Sequence, residues 1–325
     1  MRDFKIAEPR TAGEAAALLA EAAEPAALIA GGTDLIDELK SGVATAGLVV
    51  DLRRVEGLAG MARDKGGWRI GAMTRVAELA ASADVARDYP SLTEAALSLA
   101  TPQLRNVGTV GGNLCQRPRC WYYRDPQVKC RKKGGFNCYA AQGRNKYHAL
   151  FGGGSCYIVY PSDLAPALIS LGATAVVATV KGERTMPLEK MYALPDVDVT
   201  RETALAKGEF LKAVVVPAPK PGRKAVYVKL KERGTWDFAL VSAAVAAVVE
   251  GGRLAEISIV CGGVAPVPWR LKKAEDALRG QAATEEAVGR AAEAALADAA
   301  PLRENGYKTD LLRAVLKQAM AAVAA

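Results

Sequence analysis

The sequence predicts an α+β protein of two or three domains. Its 325 residues are too many for one small hydrophobic core, and domains of the expected size bury enough apolar surface to fold without disulfides. Apolar runs typical of strands alternate with Ala- and Leu-rich runs typical of helices. The stretch "VVVPAPKPGRK" holds three prolines and a glycine, and this density of turn formers predicts a domain boundary there.

The first elements are predicted as follows. A capping box, Thr11 with Glu14 three residues later, opens a helix in "TAGEAAALLAEAAE". A short strand, a Gly-Gly turn and an amphipathic segment are predicted in "AALIAGGTDLIDELKSG", and another strand in "GLVVDLRRV". A second unit begins at "GWRIGAMTRVAELAAS", and its helix "SLTEAALSLA" leads into "TPQLRNVGTVGGNL". We interpret this last stretch as a loop, since three glycines fall within five of its residues.

The second half begins with an extended approach, a helix and a strand in "PSDLAPALISLGATAVVATV". Beyond the predicted boundary comes a β-rich stretch, "AVYVKLKERGTWDFALVSAAVAAVVEGGRLAEISIVCGG". Two Ala-rich helices follow, and the second of them ends the chain.

Composition excludes several classes of protein. Charges run through the first ten residues, no signal peptide core follows, and no apolar run reaches about 18 residues. We therefore expect a soluble, cytoplasmic protein, while export with a signal-bearing partner stays open. His148 is the only histidine, so a Ser-His-Asp triad or a multi-histidine metal site requires another chain. We interpret His148 as a hydrogen-bonding residue of its loop, with a role beside a metal ligand as the alternative.

The net charge of +8 is concentrated in one segment. Nine Lys and Arg residues lie between Cys115 and Cys156, against Asp125 alone. The rest of the chain has 34 basic and 34 acidic residues and is neutral. The basic charge therefore belongs to the function of this segment, and a diffuse nucleic-acid-binding surface is not indicated.

The same segment holds five of the six cysteines, spaced Cys115-x4-Cys120-x9-Cys130-x7-Cys138-x17-Cys156. Clustered thiols in a reducing compartment favour an inorganic centre over disulfides. An iron-sulfur cluster suits thiolates from an irregular basic loop, whereas the short C-x2-C pairs usual in structural zinc sites are absent. Cluster, zinc and free thiols all remain open on spacing alone. The sixth cysteine, Cys261, lies in an apolar run and is expected to be a buried small hydrophobe.

Two glycine-rich stretches are candidates for anion binding: "AGGTD" (30–34) and "GTVGGN" (108–113). Glycine lets backbone amides approach an anion closely, and a diphosphate is the expected guest. Neither stretch has the G-x-G-x-x-G or Walker A pattern. Each alone is more often an ordinary turn.

Six stretches together resemble the FAD-binding medium subunit of the xanthine dehydrogenase, or molybdenum hydroxylase, family. In order they are "IAGGTDLI", "RNVGTVGGNL", "PSDLAPALISLGA", "YVKLKERGTWDFALVSAA", "CGGVAPVPWRLKKAE" and "PLRENGYKTDLLRAVL". The resemblance covers essentially the whole chain. It implies a PCMH-type (VAO-like) FAD-binding domain at 1–217, with two α/β subdomains at about 1–58 and 59–217. A CO dehydrogenase flavoprotein-like α+β domain is implied at 222–325.

The resemblance also implies that 115–156 is an insertion. Asn113 and Asp163 stand 50 residues apart, whereas plain family members separate the equivalent residues by only a handful. The insertion is similar to those of 4-hydroxybenzoyl-CoA reductase medium subunits and periplasmic-type aldehyde oxidoreductases, where the loop carries a 4Fe-4S cluster. The implied ligands are Cys120, Cys130, Cys138 and Cys156. Cys115 is then the surplus thiol.

The FAD-binding positions of the family fall on the two glycine stretches and on three later residues. The implied FAD-binding residues are Leu28, Ile29, Ala30, Gly31, Gly32, Thr33, Asp34, Leu35, Thr109, Val110, Gly111, Gly112, Asn113, Asp163, Leu211 and Lys229. Without the family pattern, Asp163 would be interpreted as a helix N-cap and Lys229 as a solvated strand lysine. One departure is the small-residue run 98–100, where some relatives place an aromatic near the flavin.

The function implied is that of the FAD and 4Fe-4S electron-transfer subunit of a heterotrimeric molybdenum hydroxylase. Its partners would be a large subunit with the molybdenum cofactor and a small subunit with 2Fe-2S clusters, with no catalytic residue in this chain. We also expect an acidic carrier such as a ferredoxin to contact Arg131, Lys132 and Lys133, and neither nucleic acid nor membrane binding. A basic zinc-binding interaction module is the alternative. Aromatic acyl-CoA, aldehyde and heterocycle substrates of the complex all stay open.

Overall fold

The protein, described here for residues 1–324 of a computed structural model, contains three β-sheets with helices packed against them. The strands are β1 (Lys5–Ala7), β2 (Ala26–Ile29), β3 (Leu48–Asp51), β4 (Met61–Asp64), β5 (Gly67–Gly71), β6 (Thr174–Thr179), β7 (Gly182–Pro187), β8 (Phe210–Val216), β9 (Arg223–Leu230), β10 (Val241–Glu250), β11 (Arg253–Gly262) and β12 (Trp269–Arg270). The α-helices are α1 (Ala12–Glu21), α2 (Leu35–Ser41), α3 (Val76–Ala81), α4 (Ala83–Asp88), α5 (Pro90–Ser98), α6 (Pro102–Val107), α7 (Val110–Leu114), α8 (Trp121–Arg124), α9 (Leu164–Ser170), α10 (Lys272–Leu278), α11 (Glu285–Leu296) and α12 (Tyr307–Ala324). The predicted α+β class is confirmed.

The first sheet is parallel, in the order β1-β3-β2. Parallel neighbours need crossover connections, and α1 and α2 supply them. The predicted capping box opens α1, because the Thr11 side chain accepts a bond from Glu14 N at 3.2 Å while the Glu14 carboxylate accepts from Thr11 N. The second sheet, β4-β5-β8-β6-β7, and the third, β12-β11-β10-β9, are antiparallel.

The third sheet is buried on both faces. Helices α5 and α9 fill the space between it and the second sheet, and α10, α11 and α12 cover its other face. Eight successive residues of β10, from Val241, are therefore buried, which accounts for an apolar run that only Ser242 interrupts. Cys261 in β11 is fully buried in this core, as predicted.

The stretch interpreted as a loop, "TPQLRNVGTVGGNL", instead forms α6 and α7. A threonine side chain caps each helix: Thr101 accepts from Leu104 N at 3.3 Å, and Thr109 accepts from Gly112 N at 3.0 Å. These caps stabilise both short helices, and α7 forms although two of its five residues are glycine. The prediction failed because the glycine count outweighed the threonine signals.

The segment 115–156 is mostly irregular and contains only α8 and two 3-10 turns. It leaves the second unit after α7 and returns to it shortly before α9. Within residues 1–324 no helix has the length and apolar character needed to cross a membrane.

Candidate functional site

The two glycine-rich stretches meet in space. A Cβ added to Gly31 would lie 2.2 Å from the Val107 carbonyl oxygen, so only glycine fits there. Gly32 has φ +73, a conformation that side chains with a Cβ rarely adopt. The structure therefore brings together two loops that the sequence separates by more than 70 residues.

The second loop is tied to the start of α9 through Asn113. Its buried Oδ1 accepts from Ser162 Oγ at 2.6 Å and from Leu164 N at 3.4 Å. Asn113 and Asp163, 50 positions apart in the sequence, thus lie close together, since Asn113 bonds both chain neighbours of Asp163. The insertion does not separate them in space.

Asp163 and Lys229 form a buried ion pair, with Nζ 2.8 Å from Oδ2. Tyr227 donates its hydroxyl to the other carboxylate oxygen at 2.7 Å. Asp163 makes no capping bond, since Ser162 accepts from Ala165 N instead, and the Lys229 side chain is only 3% exposed. Asp163 thus stands at the N-cap position of α9, but its carboxylate pairs with Lys229 instead of capping the helix. The alternative interpretation of Lys229 as a solvated lysine is wrong.

A large cavity of about 410 Å³ opens beside Asp163. Its walls include Tyr160, Phe238, Arg119, Cys120 and His148. The glycine loops do not line it directly. Leu211, assigned to the flavin site, lies in β8 as part of the core between the second and third sheets.

Arginines of the insertion hold Asp34 of the first glycine loop. Its carboxylate accepts from Arg117 N at 2.7 Å and pairs with Arg119 at 3.0 Å and Arg124 at 2.7 Å. These cations offset the negative charge of the Asp34 carboxylate. Asp34 therefore joins the insertion to the loop.

Four cysteines of the insertion surround a second, much smaller cavity of about 10 Å³. They are Cys120, Cys130, Cys138 and Cys156. Cys115 does not line this cavity; it packs against the apolar core, and burial raises its pKa to about 12. Within residues 1–324 no three His, Cys, Asp or Glu side chains are grouped closely enough to share a single metal ion.

Three of the four thiols have shifted pKa values. A bond from the Cys156 thiol lowers the pKa of Cys138 to about 6, while the pKa of Cys156 is raised by that bond and by burial. Burial raises the pKa of Cys120 to about 11. The nearby Lys132 cation opposes the rise at Cys156, so the cavity already favours thiolate on one side.

His148 lies at the wall between the two cavities and, with Cys120, lines both. Its Nε2 is 3.3 Å from Cys120 Sγ. Burial, with the nearby Lys308, lowers the pKa of His148 to about 4, so the ring is neutral at pH 7. The geometry supports the alternative role, beside a thiol of the cysteine cavity.

The structure contradicts one predicted contact residue. Lys132 was expected at the surface, but its side chain is 1% exposed and pairs with Glu202 at 2.6 Å. A buried ammonium requires such a partner. Five of the nine cations in the segment pair with carboxylates from outside it: Arg117, Arg119, Arg124, Lys132 and Lys146.

Sequence reasoning missed several residues of these sites. Tyr227 and Ser162 stood inside motifs already quoted, "YVKLKERG" and "PSDL", and were findable there. Arg119 had only its charge as a signal. Asn305 and Lys308, in "RENGYK", contact the His148 loop from across the chain, and no local pattern indicates that contact.

Comparisons with known proteins identify the family of the chain. A family model described as the FAD binding domain in molybdopterin dehydrogenase matches residues 2–219, and the CO dehydrogenase flavoprotein C-terminal domain matches residues 225–323. The chain is 38% identical to the aldehyde oxidoreductase FAD-binding subunit PaoB of Escherichia coli K12, with 99% of this chain and 98% of PaoB covered. It is 31% identical to the carbon monoxide dehydrogenase medium chain of Hydrogenophaga pseudoflava, with 98% and 96% covered. A solved structure of carbon monoxide dehydrogenase from that organism superimposes with a TM-score of 0.79 at 30% identity, with 99% and 97% covered.

Proposed function

The chain belongs to the family of FAD-binding medium subunits of xanthine dehydrogenase and carbon monoxide dehydrogenase, and we propose that it is the FAD and 4Fe-4S electron-transfer subunit of a molybdenum hydroxylase. One observation carries the cluster: four cysteines of the insertion line one cavity, and the fifth does not. That cavity shares Cys120 and His148 with the larger cavity that reaches Asp163.

The FAD site is supported by the contact between the two glycine loops and by the buried groups beside them. Gly31 lies against Val107 and Gly108, where the second glycine-rich stretch begins, and Gly32 has a positive φ. Glycine at both positions lets backbone amides approach a diphosphate closely. Asp163, fixed by Lys229 and Tyr227, presents a carboxylate at the large cavity. When bound, FAD supplies the conversion between two-electron and one-electron transfer. Neither glycine loop holds a His, Cys or Tyr, so acid precipitation should release all of the flavin.

The cluster site is supported by the chemistry of its walls. Four thiols from one irregular loop suit a 4Fe-4S cluster, whose thiolate form carries about two negative charges when oxidised. Buried Lys132 offsets part of that charge. Zinc in the same thiols is the competing occupant.

We propose the remaining assignments on the same basis. The partners are a molybdenum-cofactor large subunit and a 2Fe-2S small subunit, and the location is cytoplasmic. The sheets support the division at 217–222, since β8 ends at Val216 and β9 begins at Arg223. They also support the earlier division near residue 58, because the parallel sheet ends with β3 and the second sheet begins with β4.

Single Cys→Ser replacements at the five loop positions test the cluster. Iron and acid-labile sulfide are measured in each purified full chain, together with zinc. The variants at Cys120, Cys130, Cys138 and Cys156 should lose iron, and the Cys115 variant should keep it. Full iron in any of the four, or zinc without sulfide in the natural protein, contradicts the proposal and favours the basic zinc-binding module.

An acidic electron carrier such as a ferredoxin remains our proposed external partner. Its proposed contact surface no longer includes Lys132, which is buried. Exposed Arg131 lines the cysteine cavity, partly exposed Lys133 lies two residues further along the chain, and exposed Lys129 is next to Cys130. Basic groups near a cluster steer an acidic protein at low ionic strength. The rate of electron exchange should fall steeply between roughly 10 and 300 mM salt, where the Debye length drops from about 30 Å to about 6 Å.

Gln replacement of those three cations should flatten this salt dependence with iron retained. Gln replacement of three exposed cations of the C-terminal domain, Arg279, Arg290 and Lys317, changes the net charge equally and should leave the dependence unchanged. If both triple variants behave alike, the carrier does not dock beside the cysteine cavity.

A further inference from the structure

We propose that His148 tunes the centre held by the four cysteines by donating a hydrogen bond from Nε2 to the Cys120 sulfur, and that the start of helix α12 positions it. The inference rests on the proposed function, since it concerns the cluster site. It assigns a role to the chain's only histidine and to a segment of the other domain.

The direction of the bond follows from the sulfur. Nε2 lies 3.3 Å from Cys120 Sγ, and a cysteine that ligates iron is a thiolate with no proton to give. The ring must then donate. Its other nitrogen, Nδ1, is buried and has no hydrogen-bond partner among residues 1–324. Among residues 1–324, the Cys120 sulfur is therefore the one polar contact of the His148 ring.

Because Nδ1 anchors nothing, other contacts must hold the ring in place. Trp121 packs edge-on against it, with ring centroids 5.3 Å apart, and Tyr122 lies at 6.3 Å. Both belong to α8, directly after Cys120. The ring and its sulfur partner therefore share one rigid neighbourhood.

The backbone of His148 is held from the C-terminal domain. Its carbonyl accepts from Asn305 Nδ2 at 3.0 Å and from Lys308 Nζ at 3.1 Å. Lys308 also donates to the Tyr147 carbonyl at 2.9 Å and to the Gly263 carbonyl at 2.8 Å. These bonds hold the His148 backbone and so set the position of its ring relative to the Cys120 sulfur. Asn305 and Lys308 are therefore positioning residues.

A second clamp lies three residues earlier in the same loop. Asn145 N donates to the Glu304 carboxylate at 2.9 Å, and Glu304 N donates to Asn145 Oδ1 at 2.8 Å. The reciprocal pair joins the insertion to the segment before α12. The C-terminal domain thus orients one wall of the cysteine cavity.

Hydrogen bonds to the sulfur ligands of an iron-sulfur cluster draw off negative charge and raise its reduction potential. Removing one should make the reduced cluster harder to form. We expect a change of about tenfold in the reduction equilibrium, equivalent to about 59 mV for one electron.

The test uses the full chain carrying its native iron. The midpoint potential is measured by redox titration followed by electron paramagnetic resonance, in His148→Phe, which removes the donor, and in His148→Gln, which keeps one. The Phe variant should titrate at a lower potential, and the Gln variant should lie closer to the natural protein. Lys146→Gln is the matched control, because Lys146 is exposed in the same loop and pairs with Glu232 instead.

A second measurement does not depend on any variant. Since His148 is the only histidine of the chain, ¹⁵N-histidine labelling adds a single imidazole to the pulsed resonance spectrum of the reduced protein. A ¹⁵N coupling supports the bond, and its absence overturns the proposal even if His148→Phe fails to retain iron. An unchanged potential in an iron-replete Phe variant also overturns it. If the natural chain contains no iron and sulfide, the proposed function itself fails, a result distinct from both.

Discussion

We expect Lys308→Met to abolish a pH dependence of stability that the natural protein has. The Lys308 side chain is fully buried and donates to three backbone carbonyls. Burial lowers its pKa from 10.5 to about 7. The folded protein therefore releases this proton at a much lower pH than the unfolded chain does.

The sign and size follow from linkage. Between about pH 7 and 10.5 the unfolded chain binds the proton and the folded protein does not, so the free energy of unfolding rises with pH. The slope is about 1.4 kcal/mol per pH unit. From pH 7.5 to 9.5 the natural protein should gain about 2.7 kcal/mol relative to Lys308→Met. Below pH 7 the amine is charged in both states, and the full penalty of burial is present.

The assay is urea unfolding of the reduced full chain, followed by circular dichroism at several pH values. Subtracting the variant from the natural protein cancels the titration of the cysteines and tyrosines, which both share. Lys317→Met is the control, because Lys317 is 65% exposed on the same helix and its difference from the natural protein should not change with pH. If the free energy difference between the natural protein and Lys308→Met is also constant with pH, the three carbonyl bonds fully offset the effect of burial on the pKa of Lys308.

Two further predictions concern the cofactor sites. Gly31→Ala should abolish flavin binding, measured by fluorescence titration, because its Cβ would lie 2.2 Å from the Val107 carbonyl oxygen; Gly13→Ala, in open space within α1, should bind flavin normally and gain roughly 0.5–1 kcal/mol in stability. Lys132→Met should lose roughly half of its iron or more, because it removes the buried cation beside the thiols, whereas Lys129→Met, at an exposed position in the same loop, should keep it. Equal iron in the last two variants would contradict the assigned role of Lys132.

The family and its motif order could be identified from the sequence, and the comparisons confirm the family. The proposed ligand set rests on the same resemblance, and the structure adds that the four thiols share one cavity. What the sequence did not indicate was the contact between the two cavities. Cys120 and His148 are 28 residues apart, and neither has a local pattern that points to the other.

Features that depend on neighbours three or four residues away were determined by the sequence itself. The capping box of α1 closes over three residues, and its two side chains can be read directly from the chain. The burial of Cys261 likewise follows from the apolar run around it. The capping box is stabilised by contacts within one element, and the burial of Cys261 is favoured by hydrophobicity alone.

Only the tertiary structure decided which charges are buried and paired. Lys132 and Glu202 lie 70 positions apart, and Arg124 and Asp34 lie 90 apart. The local sequence does not indicate whether a lysine faces solvent or a carboxylate. The cost of burying a lysine is offset by an acidic partner that is distant in the sequence and close only in the folded structure. The sequence therefore predicted an exposed Lys132, whereas the structure buries it because the fold brings Glu202 beside it.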